Sequence, residues 1–355
     1  MTLAEQERPE AAPVAAELAY QRPLDRVLVH RRAVMEVFVT DAVRLDDDTF
    51  AVAVQAPRAH GYYNDHTQRP ALLDPLFLLE AARQAVTVVA HRWLDVTYDT
   101  SFLISDWTTE FTDLAALRAR GDAPDELVVE VTTRDLRRRG TKLLAATLEC
   151  AFVVAGRRAG TSSVVAGYLS RDGYGAHREK SRGTVPPLSS AMPQTRAGTP
   201  VAPALVGRER TENVVLTDVE RPGGPAVLRA LLDVPVLHPA MYDHPLDHVP
   251  AMALMEAARQ AAVLAAGAPA ERRYAAAFAA TFRRFVELDS PVTVSVTATA
   301  DDRFAVDFLQ DGASVCTATV AVAALPEPPA TVAALPEPPA AVAALPEPAL
   351  ATDGR

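Results

Sequence analysis

The sequence predicts an α+β protein built from two related halves, and three observations lead to this prediction. A set of sequence blocks recurs in the same order, each half contains one long apolar helix pattern, and alternating strand patterns follow that helix. The length of 355 residues suits two core-forming units, and 49% hydrophobic with 23% charged residues is typical of a globular protein. We therefore expect two domains, each combining a helix with a β-sheet.

The internal repeat consists of three blocks, of which the first is the weakest match. The second block contains an Asp-His pair followed by the pentapeptide Glu-Ala-Ala-Arg-Gln in both copies. Because order and spacing are kept, the blocks indicate a duplication. The matched segments are residues 29–41 with 206–218, 63–85 with 242–261, and 140–147 with 312–319.

The predicted helix of the first half runs from Pro75 to Ala90 and is apolar except along one narrow stripe. Polar residues three and four positions apart lie on the same helix face, so the stripe points in one direction. Its residues are Glu80, Arg83, Gln84 and Thr87 in the first half, and Glu256, Arg259 and Gln260 in the second.

Two interpretations of the stripe remain open from the residues alone. It can be a solvated polar edge with a weak ion pair between residues three apart. Alternatively, if the sheet of each half covers its helix, burial would raise the pKa of Glu80 and Glu256 toward the range useful for proton transfer, although a neighbouring Arg opposes that shift. The narrowness of the stripe favours the functional interpretation.

A histidine precedes each of the two glutamates, His66 before Glu80 and His244 before Glu256. A histidine has an ordinary pKa near neutrality, which suits general acid or base catalysis. A histidine in a Pro-containing loop can equally be a turn residue. The Asp-His pair in both copies makes His66 and His244 candidates for catalysis.

Strand patterns follow the predicted helix in each half. Alternation of apolar and polar residues predicts strands, and Cys316 lies within one of them as a core residue. The predicted strands are 126–133 and 142–154 in the first half, and 292–296, 304–308 and 315–322 in the second.

Segments without apolar periodicity divide the chain. A Gly-, Ser-, Pro- and Arg-rich stretch predicts a linker between the halves, and the repeated VAALPEPPA sequence from Val322 favours extended polyproline conformations. The predicted organisation is a flexible leader 1–24, a first domain 25–170, a linker 171–205, a second domain 206–323 and a disordered Pro- and Ala-rich tail 324–355.

Charge and cysteine content exclude several classes of function. The formal net charge of −10 disfavours a nucleic-acid binder, which needs a basic face. The run from Arg134 to Arg139 predicts a solvated hairpin or, alternatively, a docking patch for an acidic partner. Cys150 and Cys316 have neither metal-ligand nor disulfide spacing, and neither a P-loop, a GxSxG elbow nor a GxGxxG motif before a helix is present, so we expect no metal and no cofactor.

The sequence also gives an expectation for the compartment. The N-terminal segment is acidic and contains no continuous apolar stretch, unlike a signal peptide. Charged residues such as Glu80 and Glu256 interrupt the longest apolar runs before they could span a membrane. We therefore expect a cytoplasmic protein without a membrane partner.

The spacing from His66 to Glu80 resembles the His-to-Glu motif of the hot-dog-fold β-hydroxyacyl-carrier-protein dehydratases. In that family each active site joins a His from one hot-dog domain to a Glu from its partner. The sequence departs from the family at the helix start, where the family's Pro-Gly is Asp74-Pro75 in the first copy and Pro250-Ala251 in the second.

A closer resemblance covers residues 25–323 and is to the A-factor biosynthesis (AfsA-type) proteins. It is carried by VHRRAV at 29–34, EVFVTD at 36–41, DHPLDHVP at 243–250 and both EAARQ motifs. The resemblance implies a double hot-dog, in which two tandem domains each wrap an antiparallel sheet around a long central helix. It also implies transfer of a β-ketoacyl group from acyl carrier protein, or from acyl-CoA, to dihydroxyacetone phosphate, for γ-butyrolactone-type signals.

The resemblance further implies roles for the candidate residues. The family's important positions fall on Glu80, Glu256 and Arg259, so one of the glutamates would be the base and Arg259, with Arg83, would bind phosphate or an oxyanion. His66 and His244 would orient the acyl carbonyl or water. Gln84, Gln260 and His248 are further candidates for substrate binding.

Cross-pairing of the halves predicts two pseudo-equivalent sites, His66 with Glu256 and His244 with Glu80. We expect the site that contains Arg259 to be the active one, because its spacing departs further from that of the dehydratases. A dehydratase or thioesterase and a non-catalytic acyl-binding module remain as alternatives, since fold analogy alone does not separate them.

Overall fold

Twelve antiparallel strands form one continuous sheet in the computed structural model, which describes residues 18–267, 269–300 and 302–325. Residues 1–17 of the predicted leader and the predicted tail beyond Leu325 lie outside the described residues. The strands are β1 (Val39–Arg44), β2 (Thr49–Gln55), β3 (Ser101–Phe111), β4 (Glu126–Arg139), β5 (Lys142–Val154), β6 (Arg157–Leu169), β7 (Leu216–Glu220), β8 (Ala226–Leu232), β9 (Arg273–Phe282), β10 (Val292–Ala300), β11 (Arg303–Gln310) and β12 (Ala313–Ala324).

The strand order repeats the duplication seen in the sequence. The sheet runs β1-β2-β4-β5-β6-β3 through the first half and β9-β12-β11-β10-β8-β7 through the second. Read from their outer ends, the two halves have the same order. They join through β3 and β9, which pair from Asp106 opposite Thr281 to Glu110 opposite Ala277. The α+β double hot-dog predicted from the sequence is thereby confirmed.

Each half contributes one long helix, α1 (Pro75–Trp93) and α3 (Ala251–Ala266), and both helices are almost completely buried. The Asp74 side chain caps α1 by accepting from the Leu76 amide at 2.7 Å, with Pro75 at the first helical position. The two helices contact each other and the strands of their sheet. Both glutamates of the polar stripe are fully buried, so its interpretation as a solvated edge is wrong.

The strand predictions are confirmed, and β5 coincides with the predicted range 142–154. The second half shows β10, β11 and β12 where alternation predicts them. The Arg-rich run is the end of β4 and is exposed from Arg134 to Arg139, as expected of a solvated hairpin. Cys316 is buried, as a core position should be.

The segment between the halves contains a helix, α2 (Arg171–Arg182), where the lack of apolar periodicity predicted a linker without regular structure. Ser170 caps its start and Gly183 its end, the latter with φ +81° in the left-handed region. The anchor of α2 is Arg178, which is buried and pairs with Asp247 and Glu287. Because ion pairs hold this helix, it lacks the apolar stripe that would have revealed it.

Within the described residues, no helix is both long and apolar enough to cross a membrane.

Candidate functional site

Four side chains of the first half form what we call the Glu80 cluster: Glu80, Arg83, Gln84 and Arg31. Arg83 donates hydrogen bonds to both oxygens of the Glu80 carboxylate, from Nε to Oε2 and from Nη2 to Oε1, at 2.7 Å each. Arg31 Nη2 and Gln84 Nε2 also reach Glu80 Oε1 at 2.7 Å. Arg31 lies outside the helix, just after the short 3-10 helix Arg26–Val29, so sequence segments far apart meet on one carboxylate.

The second half repeats this arrangement in the Glu256 cluster: Glu256, Arg259, Gln260 and Arg208. Arg259 donates from Nε to Glu256 Oε2 at 2.7 Å and from Nη2 to Oε1 at 2.8 Å. Arg208 Nε and Gln260 Nε2 reach Glu256 Oε1 at 2.9 Å and 2.6 Å. The duplicated motif therefore builds the same hydrogen-bond pattern twice.

The two glutamines fasten each helix to the segment that carries the extra arginine. Gln84 Oε1 accepts from the Phe38 amide, while its Nε2 donates to the Glu36 carbonyl and to Glu80. Gln260 makes the corresponding bonds to residues 213 and 215. Both glutamines are fully buried with their amide hydrogens engaged. They hold the backbone, which leaves neither free for the substrate-binding role expected from the sequence.

The histidine-bearing loops are exchanged between the halves. Asp65 of the first half accepts hydrogen bonds from Asn213 Nδ2 at 2.5 Å and the Arg210 amide at 3.3 Å in the second half. Asp243 of the second half accepts from backbone amides of the first, including that of Ala33 at 2.8 Å. The loop that carries His244 therefore lies on the Glu80 side. By the same exchange, the loop that carries His66 lies on the Glu256 side.

A cavity of about 1320 Å³ opens onto the Glu80 cluster. Arg31 and Arg83 line it together with His244 and His248, and α2 forms part of its wall. Arg259 does not line it and is only 2% exposed. The sequence predicted that the site with Arg259 is the active one, but the structure buries that cluster. The Glu80 cluster of the first half is the one that faces the cavity. A smaller cavity of about 480 Å³, lined by strand residues, contains none of the predicted site residues.

The two clusters also differ in charge. In the Glu80 cluster, two guanidinium groups share the single carboxylate of Glu80. In the Glu256 cluster, Arg208 Nη1 also binds Asp74 Oδ2 at 2.8 Å, so two arginines face two carboxylates. The repeat aligns Asp74 with the position of Pro250, which explains why the first cluster lacks a second carboxylate. Counted over its four side chains, the Glu80 cluster has one positive charge in excess, while the buried Glu36 carboxylate, which hydrogen-bonds His60, acts on Arg31 from outside the cluster.

The glutamates themselves are held ionised. Burial alone would raise the pKa of the Glu80 carboxyl, but the charges of Arg31 and Arg83 outweigh burial and lower that pKa to about 2. Arg208 and Arg259 lower the pKa of Glu256 to about 2 against the same burial effect. The raised pKa expected from the sequence is therefore wrong. A carboxylate with so low a pKa is a poor proton acceptor at neutral pH.

His244, at the cavity, is a better proton acceptor than either glutamate. His244 Nδ1 lies 3.4 Å from Asp243 Oδ2, and burial lowers the pKa of His244 although Asp243 opposes the shift. Its side chain is about one-third exposed at 32% and lines the cavity, so a neutral imidazole is available there. His248 also lines the cavity, with Nδ1 2.6 Å from Asp247 Oδ1.

His30 also lines the cavity, and sequence reasoning did not single it out. Its Nε2 lies 2.8 Å from His91 Nε2, while His91 Nδ1 lies 2.8 Å from the Val96 carbonyl oxygen. Because a carbonyl only accepts, His91 Nδ1 must donate to it, and in the neutral pair His30 Nε2 then donates to His91. Burial, followed by the charge of His91, lowers the pKa of His30 to about 3. His30 is thus neutral, with Nδ1 left as an acceptor.

His66 sits in the closed counterpart of this site. Its Nδ1 is buried and has no hydrogen-bond partner among the described residues. Burial lowers the pKa of His66, Asp74 raises it, and Arg208 and Arg259 lower it further.

Arg31 and Arg208 are the main residues that sequence reasoning missed. The signal for them was present, because the weakest repeat block aligns Arg31 with Arg208 and places both after short 3-10 helices. The same block aligns His30 with Gly207. Both adopt the left-handed conformation, with φ +54° and +71°, which costs a histidine more than a glycine. Among the described residues, no group of three or more His, Cys, Asp or Glu side chains could hold a metal ion.

Comparison with known proteins fits this geometry. Residues 15–169 and 190–326 match the family model described as the A-factor biosynthesis hotdog domain. A curated relative from Streptomyces virginiae, named 2-oxo-3-(phosphooxy)propyl 3-oxoalkanoate synthase, is 36% identical over 75% of this chain and 84% of its own length. A relative of the same name from Streptomyces griseus is 31% identical over 86% of this chain and 92% of its own length.

Among solved structures, the dehydratase domain from the CurF module of the curacin polyketide synthase has a TM-score of 0.47 at 11% identity, over 81% of this chain and 98% of that domain.

The two segments that match the family model, one in each half, together span most of the sequence. The chain therefore belongs to the A-factor biosynthesis hotdog domain family.

Proposed function

We propose that this protein transfers a β-ketoacyl group from the thioester of an acyl carrier protein to the primary hydroxyl of dihydroxyacetone phosphate, at the Glu80 cluster. The observation that carries the proposal is the pair Arg31 and Arg83, held on one carboxylate and facing a large cavity. The relatives' name supports it, because 2-oxo-3-(phosphooxy)propyl 3-oxoalkanoate is the ester that this transfer forms. These substrates place the proposed reaction in the cytoplasm.

Arg31 and Arg83 bind the anionic groups of this reaction. A guanidinium remains charged at all relevant pH values and offers paired donors to phosphate or to the oxyanion of a tetrahedral intermediate. One carboxylate for two guanidinium groups leaves net positive charge for a phosphate. Glu80 fixes both arginines and is a positioning residue, because its low pKa makes it unsuited to act as the base.

His244 takes the proton. Its imidazole is neutral, lies at the cavity and is oriented by Asp243, which suits a general base. The alcohol oxygen attacks the thioester carbonyl carbon while its proton passes to His244. When the tetrahedral intermediate collapses, the C–S bond breaks and His244 returns the proton to the thiolate sulfur. Ester and free thiol are the products, and no other reactant is required.

The Glu256 cluster serves the fold in this proposal. Arg208 is fully buried, its charge is balanced by Asp74 and Glu256, and it donates to the carbonyl oxygens of Tyr62 and Asp65. Those carbonyls belong to the loop of the other half. The cluster therefore fastens the two halves together, and among the described residues its four side chains are almost completely buried.

The test combines purified protein with a β-ketoacyl-carrier protein and dihydroxyacetone phosphate, followed by mass spectrometry of the products. We expect the phosphorylated ester to form and Arg83→Gln to reduce kcat/KM by about tenfold to hundredfold, since charge-assisted contacts to phosphate are lost. Arg229→Gln, at an exposed position on β8, is the matched control. Release of free β-keto acid without any ester would overturn the proposal in favour of a thioesterase. Absence of ester together with dehydration of a β-hydroxyacyl-carrier protein, supplied in a parallel reaction, would overturn it in favour of a dehydratase.

A further inference from the structure

We propose that a basic rim at the opening of the large cavity docks the acidic surface and the phosphate-bearing arm of the acyl carrier protein. We call Arg137, Arg283 and Arg284 the basic rim. All three are exposed and line the same cavity as Arg31 and Arg83. The inference rests on the proposed function, because it names the surface through which that site would receive its thioester.

The rim arginines differ from the arginines of α2 at the same cavity, which are paired with carboxylates. Within the residues that the structure describes, none of the three rim guanidinium groups forms an ion pair, and that of Arg283 donates only to the Ser314 hydroxyl. Two of the carboxylates nearby, Glu287 and Asp289, are paired with arginines of α2. Asp311 accepts from the Ser290 hydroxyl, which leaves its negative charge in place. The three rim arginines outnumber this carboxylate at the entrance.

Burial separates the rim from the inner arginines. The side chains of Arg31 and Arg83 are only 8% and 18% exposed, whereas Arg283 and Arg284 lie on the exposed segment that follows β9. A ligand that reaches from the rim to the Glu80 cluster must be long and must carry negative charge at its outer end. A phosphopantetheine arm has this form, since a phosphodiester joins it to the carrier and a thioester lies at its far end.

The extent of the basic surface favours a protein over a small phosphate compound. Arg138 and Arg139 continue the exposed β4–β5 hairpin beyond the cavity lining, so positive charge extends further than one phosphate requires. The chain as a whole has a formal net charge of −10, which makes this local basic surface a distinct electrostatic feature. Such a surface attracts an acidic partner and increases its association rate. The Arg-rich run noted in the sequence thus becomes part of a docking surface.

The test compares the same acyl group on three donors: the carrier protein, coenzyme A and pantetheine, which has neither phosphate nor protein. The triple variant Arg137→Glu, Arg283→Glu and Arg284→Glu should lower kcat/KM for the carrier-bound donor, relative to the pantetheine donor, by about tenfold or more. The coenzyme A donor should be affected less. A control with the same change in charge replaces Arg22, Arg229 and Arg303, three exposed arginines outside the cavity, and should leave this ratio unchanged.

Two results would overturn the docking proposal. An unchanged carrier-to-pantetheine ratio would show that the rim takes no part, and an equal loss for coenzyme A would show that phosphate alone is recognised. Turnover of the pantetheine donor by the triple variant reports that it is folded. If wild-type protein forms no ester from any donor, the proposed function fails instead. Direct binding of the holo carrier protein, retained by wild type and lost by the triple variant, would then still support the rim.

Discussion

The Glu80 cluster and the Glu256 cluster share one hydrogen-bond pattern but differ in charge and in access. In each, a glutamate on the central helix binds an arginine three residues later and a second arginine from a distant segment. In the Glu80 cluster two arginines contact one carboxylate beside a cavity, whereas the two arginines of the Glu256 cluster contact two carboxylates and are almost completely buried. The difference depends on few positions, chiefly Asp74 against Pro250 and His30 against Gly207.

This comparison separates what the duplicated motif builds from what it does. The motif builds a buried carboxylate that orients two guanidinium groups, and that device can either hold loops together or present charge to a ligand. Where a second carboxylate is present, it balances the second guanidinium charge, and the cluster then serves to hold segments together. Asp74 does this for Arg208. Without the second carboxylate, the same device presents positive charge to the cavity.

The largest expected effect is on stability and follows from Arg208→Ala. The substitution leaves the buried Asp74 carboxylate uncompensated, so we expect the free energy of unfolding to fall by about 3–5 kcal/mol. Arg31→Ala should cost less, because Glu80 keeps Arg83 and the site adjoins the cavity. Urea denaturation measures both values. If Arg208→Ala does not fold, Arg208→Lys allows the same comparison, and equal losses at positions 31 and 208 would contradict the structural assignment of the Glu256 cluster.

The next effect is on activity and contrasts His244 with His66. We expect His244→Gln to lower kcat about a hundredfold or more, as for loss of a general base, with little change in melting temperature. His66→Gln should leave kcat near that of wild type, because the structure gives His66 no place at the large cavity. Steady-state kinetics of ester formation decide between them.

The pH profile gives the same contrast a second measurement. Burial lowers the pKa of His244 below its ordinary value of 6.5, so the acid limb of the wild-type kcat profile should lie below pH 6.5. That limb should disappear in His244→Gln and persist in His66→Gln. If His66→Gln lowers kcat more than His244→Gln does, the active site is at the Glu256 cluster and not at the Glu80 cluster.

Local pattern predicted much of this molecule because its elements obey local rules. The alternation of apolar and polar residues predicted β5, and the long apolar run predicted α1. A strand buried on one face and a helix buried on nearly all faces each require a recognisable pattern of apolar residues. The sequence of α2 has no such apolar pattern, because the helix is held by the ion pairs of the buried Arg178 and not by an apolar face.

The sequence predicted only part of the candidate site, because several of its contacts join residues that are far apart in the sequence. The Glu, Arg and Gln of each stripe are neighbours on one helix, and their spacing revealed them. Arg31 lies far from Glu80 in sequence, and only the fold brings them to 2.7 Å. That contact reverses the pKa shift expected for a buried glutamate. Whether a cluster is open or sealed likewise depends on partners, such as Asp74, that no local pattern identifies.

The smallest effect tests His30, which stands where the second half has Gly207. The folded state holds the pKa of His30 near 3, whereas an unfolded histidine titrates near 6.5. A lowered histidine pKa means that the unfolded state binds more protons between these values, so stability is lost as pH falls below 6.5. For this one group the loss between pH 8 and pH 5 is about 2 kcal/mol.

His30→Asn removes this titration while tolerating the left-handed backbone at this position. We therefore expect the variant to lose about 2 kcal/mol less stability than wild type between pH 8 and pH 5, measured by urea denaturation at both values. His177→Asn, at an exposed position on α2, is the control and should retain the wild-type dependence. His91, His244 and Arg83 influence His30, and they remain in both variants. An unchanged pH dependence in His30→Asn would mean that His30 is protonated in the folded protein, and the cavity would then carry more positive charge than the Glu80 cluster alone supplies.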